Sequence, residues 1–104
     1  MRCKRLPTHI YTIVLGVCRA YEASERTGTS LPARLRDMKW AVEAAAARVM
    51  LGEERVIPHM IRAIARLTPY SRASSEILLV YSEATYHRRK RQLMHVIAKE
   101  LGLM

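Results

Sequence analysis

Apolar side chains recur at three- and four-residue steps in four stretches of this chain, a period typical of amphipathic α-helices. The first stretch follows Pro7 and the second follows Pro32, a residue that suits the first turn of a helix. The third begins near Ile57 and the fourth follows Ser82. Only four glycines and four prolines interrupt the 104 residues, so the chain is predicted to be all-α.

Each stretch has one predicted buried face and predicted ends. Residues 23–31 are expected to form a loop, Ser30 is expected to cap the second helix, and Gly52 and Gly102 are expected to end or bend helices. Trp40 and the methionines are also predicted to lie in the core. The side chains predicted to line the buried faces are Ile10, Ile13, Val14, Val17, Tyr21, Leu35, Met38, Val42, Ala45, Val49, Ile57, Met60, Ile61, Ile64, Leu67, Tyr86, Leu93, Met94, Ile97, Ala98 and Leu101.

The length predicts one domain over residues 1–104, built as a small bundle of four to five helices. Residues 1–52 are predicted to form an N-terminal helical pair, and residues 53–104 a half that resembles a helix-turn-helix. The short segment Arg72–Leu79 fits either a helix or a strand. Whether residues 71–81 supply the second helix of a true helix-turn-helix stays open. The run of small side chains at residues 44–47 predicts close approach by a neighbour, and the Met- and Ala-rich second helix leaves open a homodimer seam.

The formal charge of +9, from 18 basic and 9 acidic residues, indicates a polyanionic partner. Several other classes lack their sequence signals. Cys3 and Cys18 form no metal-binding pair, the four histidines are scattered, and no nucleophile–base set or phosphate loop is visible. We therefore expect no enzyme activity, metal or cofactor. No apolar run reaches the roughly 20 residues of a membrane span, so a membrane role is not expected.

The basic charge is concentrated in the last predicted helix, where four consecutive cationic residues occupy positions 88–91. Ser82 is a good N-cap, and Glu83 is favoured by the helix dipole. With Tyr86, Leu93 and Ile97 turned inward, the candidate outward residues are Thr85, Arg88 and Gln92. The flanking candidates are His87, Arg89 and Arg91, and Lys90 completes the predicted DNA-binding residues.

A helix that is buried on one face and cationic on the other can enter the major groove of duplex DNA. Arginine can read guanine with two hydrogen bonds and glutamine can read adenine, while the remaining cations hold phosphates. The order of a short apolar segment, a tight turn at Val80 and Tyr81, and a Ser-capped basic helix is that of a helix-turn-helix. Helix Ile57–Leu67 is expected to support it.

The runs Ser82–Arg91 and Ile97–Leu103 resemble the end of ArpU/RinA-type phage transcriptional regulators. That family carries a helix-turn-helix similar to region four of sigma factors, with a recognition helix that opens on a Ser-x-x-Thr pattern. The resemblance implies a phage regulator in the cytoplasm of a bacterial host, with Thr85, Arg88 and Arg89 on the DNA side. Those regulators usually have a glycine in the turn before the capping serine, where this chain has Val80 and Tyr81.

Two functions of different classes remain open from the sequence. The first is a sequence-specific regulator that binds double-stranded DNA. The second is a small phage-encoded inhibitor that binds a host protein, as an anti-CRISPR protein blocks a defence nuclease. In one version of this hypothesis the inhibitor also retains DNA binding. The lack of the turn glycine favours the second. A generic RNA-binding protein is a weaker alternative, since exposed aromatic pairs for stacking bases are not evident.

Overall fold

A computed structural model describes residues 5–28 and 36–104 of the chain, and these residues form helices and connecting turns with no strand. The five α-helices are α1 (Thr8–Thr27), α2 (Arg36–Val49), α3 (Ile57–Ala65), α4 (Ser75–Val80) and α5 (Glu83–Glu100). Two single 3₁₀ turns, Glu54–Val56 and Tyr70–Arg72, precede α3 and α4. The all-α prediction is confirmed, and the segment that was open between helix and strand forms the short helix α4.

The helices from both halves of the chain share one core. Helix α5 packs against α2 and α1, and α1 also packs against α3. Ala45 and Ala46 are fully buried, and these small side chains allow the close approach that the sequence predicted for this run. The alanine face of α2, which was considered as a homodimer seam, is therefore occupied within the chain. The largest fully buried side chains are Tyr86, Met50, Met60, Ile61, Ile64, Ile77, Leu93 and Ile97.

Helix α1 is longer than the sequence predicted, because residues 23–27 continue the helix instead of forming a loop. The Thr27 hydroxyl donates to the Ala23 carbonyl at 2.8 Å within this last turn. Lys39 on α2 lies 3.6 Å from Glu25, so an exposed ion pair also joins the extension to α2. Gly28, with φ of 72°, then ends the helix in the left-handed conformation that glycine adopts at low cost.

Four side chains predicted to be buried are exposed, and one of them is Met104, which follows α5 and is 53 % exposed. Ile13 is 46 % exposed because it lies about 100° around α1 from fully buried Val14, on a flank that no other helix covers. Trp40, on α2, is 62 % exposed. Leu67 is 52 % exposed and has φ of 53°, since it lies beyond the end of α3 where the chain reverses.

Several predictions lie outside the described residues, namely burial of Met1 and Leu35, the loop at residues 29–31, the Ser30 cap and the Pro32 first turn. The predicted ends at Gly52 and Gly102 are confirmed: both glycines follow helices and have positive φ.

Cys18 is a free thiol in the core, and burial raises its pKa to about 12. None of the helices in the described ranges combines the length and apolar character needed to cross a bilayer.

Candidate nucleic-acid interface

Helix α5 begins at a side-chain cap that also organises its first turn. The Ser82 hydroxyl oxygen accepts from the Thr85 backbone N–H at 3.3 Å, as the sequence predicted for this residue. The same hydroxyl donates to Thr85 Oγ1 at 3.0 Å, and Arg88 Nη2 donates to Thr85 Oγ1 at 3.4 Å. Thr85 is half-buried. Its hydroxyl bonds to Ser82 and Arg88 at the start of the same helix, and this contact helps to orient Arg88.

A group of tyrosines fixes the start of α5 to the preceding chain. Tyr86 is fully buried and its hydroxyl donates to the Thr68 carbonyl at 2.6 Å. The Tyr70 ring lies 5.5 Å from the Tyr86 ring, and the Tyr70 hydroxyl donates to the Tyr81 carbonyl at 2.6 Å. Burial raises the pKa of Tyr86 above the usual value of about 10, at which the hydroxyl is already a donor at neutral pH. These bonds hold the start of α5 and the turn before it against the segment that precedes α4.

The turn between α4 and α5 consists of two residues in extended conformations. Tyr81 has φ of −115° and ψ of 136°, and Ser82 has φ of −70° and ψ of 166°. Neither residue has a positive φ, so this turn does not require a glycine, such as ArpU/RinA-type regulators usually carry there. Helix α4 is six residues long and precedes the turn directly, which keeps the order expected for a helix-turn-helix.

The exposed side of α5 is a row of residues at helical spacing, which we call the outer ridge: Ala84, Arg88, Arg91, His95 and Lys99. His95 is half-buried and the other four are exposed. No acidic residue occurs between Glu83 and Glu100. Within the described part of the chain, Arg88, Arg91 and Lys99 form no ion pair. The charge of the outer ridge therefore comes from these three cations, which lie along one side of α5.

The structure separates the seven residues predicted from the sequence into two groups. Arg88 and Arg91 are exposed on the outer ridge, whereas Thr85, His87, Arg89, Lys90 and Gln92 are half-buried at its sides. Gln92 was predicted to face outward, but its amide oxygen accepts from Arg89 Nη1 at 3.0 Å. The ridge members His95 and Lys99 were missed, although counting on from Arg88 in steps of three and four residues reaches both.

Two of the half-buried cations have specific contacts. Arg89 Nε lies 3.4 Å from Glu53 Oε1, at the turn before α3. Lys90 Nζ lies 5.0 Å from the centre of the Tyr86 ring, a cation–π geometry, and burial lowers the pKa of Lys90. His87 Nε2 is 3.8 Å from Glu83 Oε1. No group of three His, Cys, Asp or Glu side chains gathers within the described ranges to hold a metal ion.

A groove lies on each side of the outer ridge. One, of about 250 Å³, separates α5 from the start of α1 and the end of α3, and Arg5, Lys90 and Arg91 line it. The other, of about 380 Å³, separates α5 from the end of α2, and Arg48, Arg89 and Lys99 line it. Basic side chains therefore flank the ridge on both sides. Of these, Arg48 is paired with Glu100 at 3.1 Å and Arg89 with Glu53 at 3.4 Å.

The fold and this surface define an all-α bundle with one cationic helix face. Comparison of the chain with protein-family models, curated proteins and solved structures found no match. The resemblance to ArpU/RinA-type regulators therefore stays a prediction from the residues of the C-terminal part.

Proposed function

We propose that this protein is a phage-derived transcriptional regulator that binds double-stranded DNA in the bacterial cytoplasm through α5. The observation that carries the proposal is the outer ridge, where Arg88, Arg91 and Lys99 are cationic and without acidic partners in the part of the chain described. Binding to phosphates releases condensed counterions, so cations that are not already paired contribute most to affinity for DNA. The resemblance of Ser82–Arg91 to a recognition helix supports the same proposal.

The ridge is longer than a major groove is wide, so in this proposal its two ends contact different parts of the duplex. Arg88 lies in the second turn of α5 and is oriented by Thr85, so it meets base edges and can read guanine with two hydrogen bonds. Lys99 lies roughly 16 Å further along the helix axis at about 1.5 Å per residue. This length exceeds the groove width of about 12 Å, so Lys99 reaches a phosphate at the groove wall. Arg91, between them, contacts either a base edge or a phosphate.

The test is binding of the purified protein to its own upstream DNA and to a scrambled duplex across a salt series. We expect preference for its own DNA, and Arg88→Ala is expected to cost about 1–3 kcal/mol on that duplex and to reduce the preference. Lys99→Ala is expected to weaken binding to both duplexes and to lower the salt slope by about one. Equal and weak binding to both duplexes contradicts the proposal.

Arg26→Ala is the matched control, because Arg26 is exposed near the end of α1 in a groove that contains no residue of α5. This variant loses the same single charge as Arg88→Ala. We expect it to change affinity for either duplex much less than Arg88→Ala does. An equal loss in the two variants indicates attraction by net charge alone and contradicts reading by α5.

A second candidate function is inhibition of a host defence nuclease, as for an anti-CRISPR protein. The observation that favours it is the apolar surface of α4, where Leu78, Leu79 and Val80 are 43, 85 and 53 % exposed. Three consecutive exposed apolar residues are unusual unless they serve an interface. Loss of nuclease cleavage in the presence of the protein, restored by Leu79→Lys, supports this function. Unchanged cleavage excludes it for the nuclease tested.

A further inference from the structure

The groove between α1, α3 and α5 has an apolar floor and a cationic rim. Leu6, Ile64 and Met94 contribute to its apolar lining, and Arg5, Lys90 and Arg91 contribute charged groups. His87 also lines it, and no acidic residue does. We call this site the anion groove.

Among the cations that line the groove, Lys90 is expected to contribute most to anion binding. Its ammonium group lies 5.0 Å from the centre of the Tyr86 ring and forms no ion pair among the described residues. Burial lowers the pKa of Lys90, which means that the charged form is poorly solvated where it lies. An anion in the groove replaces the lost solvation and favours the charged form, so binding and protonation of Lys90 reinforce each other.

We propose that the anion groove binds a small organic anion with an apolar body, the anionic group at Arg5, Lys90 and Arg91 and the body on Leu6, Ile64 and Met94. The volume of about 250 Å³ lies just below the range of drug-sized sites, which indicates a compact ligand. A DNA phosphodiester satisfies the cations but leaves the apolar floor unused. The ligand class therefore differs from the DNA backbone, and carboxylates, sulfonates and phosphomonoesters share the required chemistry.

Ligand binding is expected to oppose DNA binding, and this part of the inference rests on the proposed function. Arg91 belongs to both the anion groove and the outer ridge. A ligand that neutralises Arg91 removes one of the ridge's free cations, so the two binding events are negatively coupled. By linkage, DNA lowers the affinity for the ligand by the same factor.

The test uses 8-anilinonaphthalene-1-sulfonate as an anionic probe and N-phenyl-1-naphthylamine as its uncharged counterpart, with fluorescence as the readout. We expect saturable binding of the sulfonate, weakened roughly tenfold in Lys90→Met, the size of one lost charge-assisted contact. The uncharged probe is expected to bind weakly and to be unaffected by that substitution. Equal binding of the two probes overturns the proposal, as does sulfonate binding that Lys90→Met leaves unchanged.

Two further variants make the result specific to the groove. Arg5→Gln removes an exposed rim charge outside any helix, so it tests the rim without disturbing α5. It is expected to weaken sulfonate binding several-fold, less than Lys90→Met, because solvent screens an exposed charge. Leu79→Gln removes exposed apolar surface on α4, outside the groove, and is expected to leave sulfonate binding unchanged. Loss of binding in Leu79→Gln, with Arg5→Gln unaffected, places the probe on α4 and overturns the proposal.

Competition separates this inference from the proposed function. If the sulfonate binds and DNA does not, the groove assignment stands and the proposed function fails. If DNA binds and the sulfonate does not, the proposed function stands and the groove assignment fails. When both bind, displacement of DNA by the sulfonate from the wild-type protein, reduced in Arg5→Gln, supports the coupling, and independent binding overturns it.

Discussion

Arg89 on α5 donates from Nε to Glu53 Oε1 at 3.4 Å, and the Tyr81 hydroxyl donates to the same oxygen at 2.8 Å. Glu53 precedes the 3₁₀ turn before α3, so this carboxylate joins that turn, the α4–α5 turn and α5. Arg88, the preceding residue, forms no ion pair within the described ranges. The two adjacent arginines therefore differ in role: Arg89 contributes to the fold, and Arg88 lies on the proposed interface.

The Arg89–Glu53 pair is expected to contribute to stability. Both side chains are about one-quarter exposed, so solvent screens the pair only in part. Urea unfolding of Arg89→Met, Glu53→Gln and the double variant, compared with the wild type, measures the coupling. We expect about 1 kcal/mol between the two substitutions. A coupling near zero shows that the pair is only a surface contact and contradicts this role for Arg89.

Removal of the α5 cap is expected to destabilise the protein. Ser82→Ala loses the oxygen that accepts from the Thr85 N–H, and the expected loss is about 0.5–1 kcal/mol because the bond is long at 3.3 Å. Ser82→Asp keeps an acceptor and adds a charge favoured at a helix N-terminus, so it is expected to retain most of the stability. Thermal unfolding of both variants provides the measurement, and equal losses argue against capping by the side chain.

The backbone at Leu67 predicts an unusual order of stability between two variants. Thr68 N–H donates to the Ala63 carbonyl and Leu67 N–H to the Ile64 carbonyl, a Schellman motif with Leu67 in the left-handed position. Leu67→Gly and Leu67→Ala both remove the side chain, so their difference reports the backbone alone. We expect the glycine variant to be more stable than the alanine variant by about 1 kcal/mol in chemical unfolding. The opposite order contradicts the positive φ.

Stability is expected to fall at alkaline pH because buried tyrosines must ionise. Burial, with the Glu53 carboxylate, raises the pKa of Tyr81 to about 12, above the value of about 10 for an unfolded chain. The folded state therefore binds more protons between these values, so the contribution is complete below pH 10 and is lost as the pH rises toward 12. Urea midpoints against pH measure the loss. Tyr81→Phe is expected to show a shallower decline, and an identical decline contradicts the assignment.

Much of the fold was determined by the sequence alone. Apolar side chains at three- and four-residue steps predicted four of the five helices, because only a helix places such residues on one face. Ser82 predicted the start of α5 and Gly102 its end, since capping depends on local backbone chemistry. The basic run at residues 88–91 predicted which helix carries the charge.

Only the tertiary structure decided which cations are free and which apolar side chains are covered. Helical spacing placed Arg88 outward and Arg89 on a flank, but it could not show that Arg89 pairs with Glu53, which is more than thirty residues away in sequence. Ile13 and Trp40 fit helical buried faces but are exposed, because burial at the edge of such a face depends on where neighbouring helices lie. The contact between the extension of α1 and Lys39 of α2 likewise joins segments that are distant in sequence. Local sequence fixes helical period and caps, whereas contacts between distant segments fix pairing and exposure.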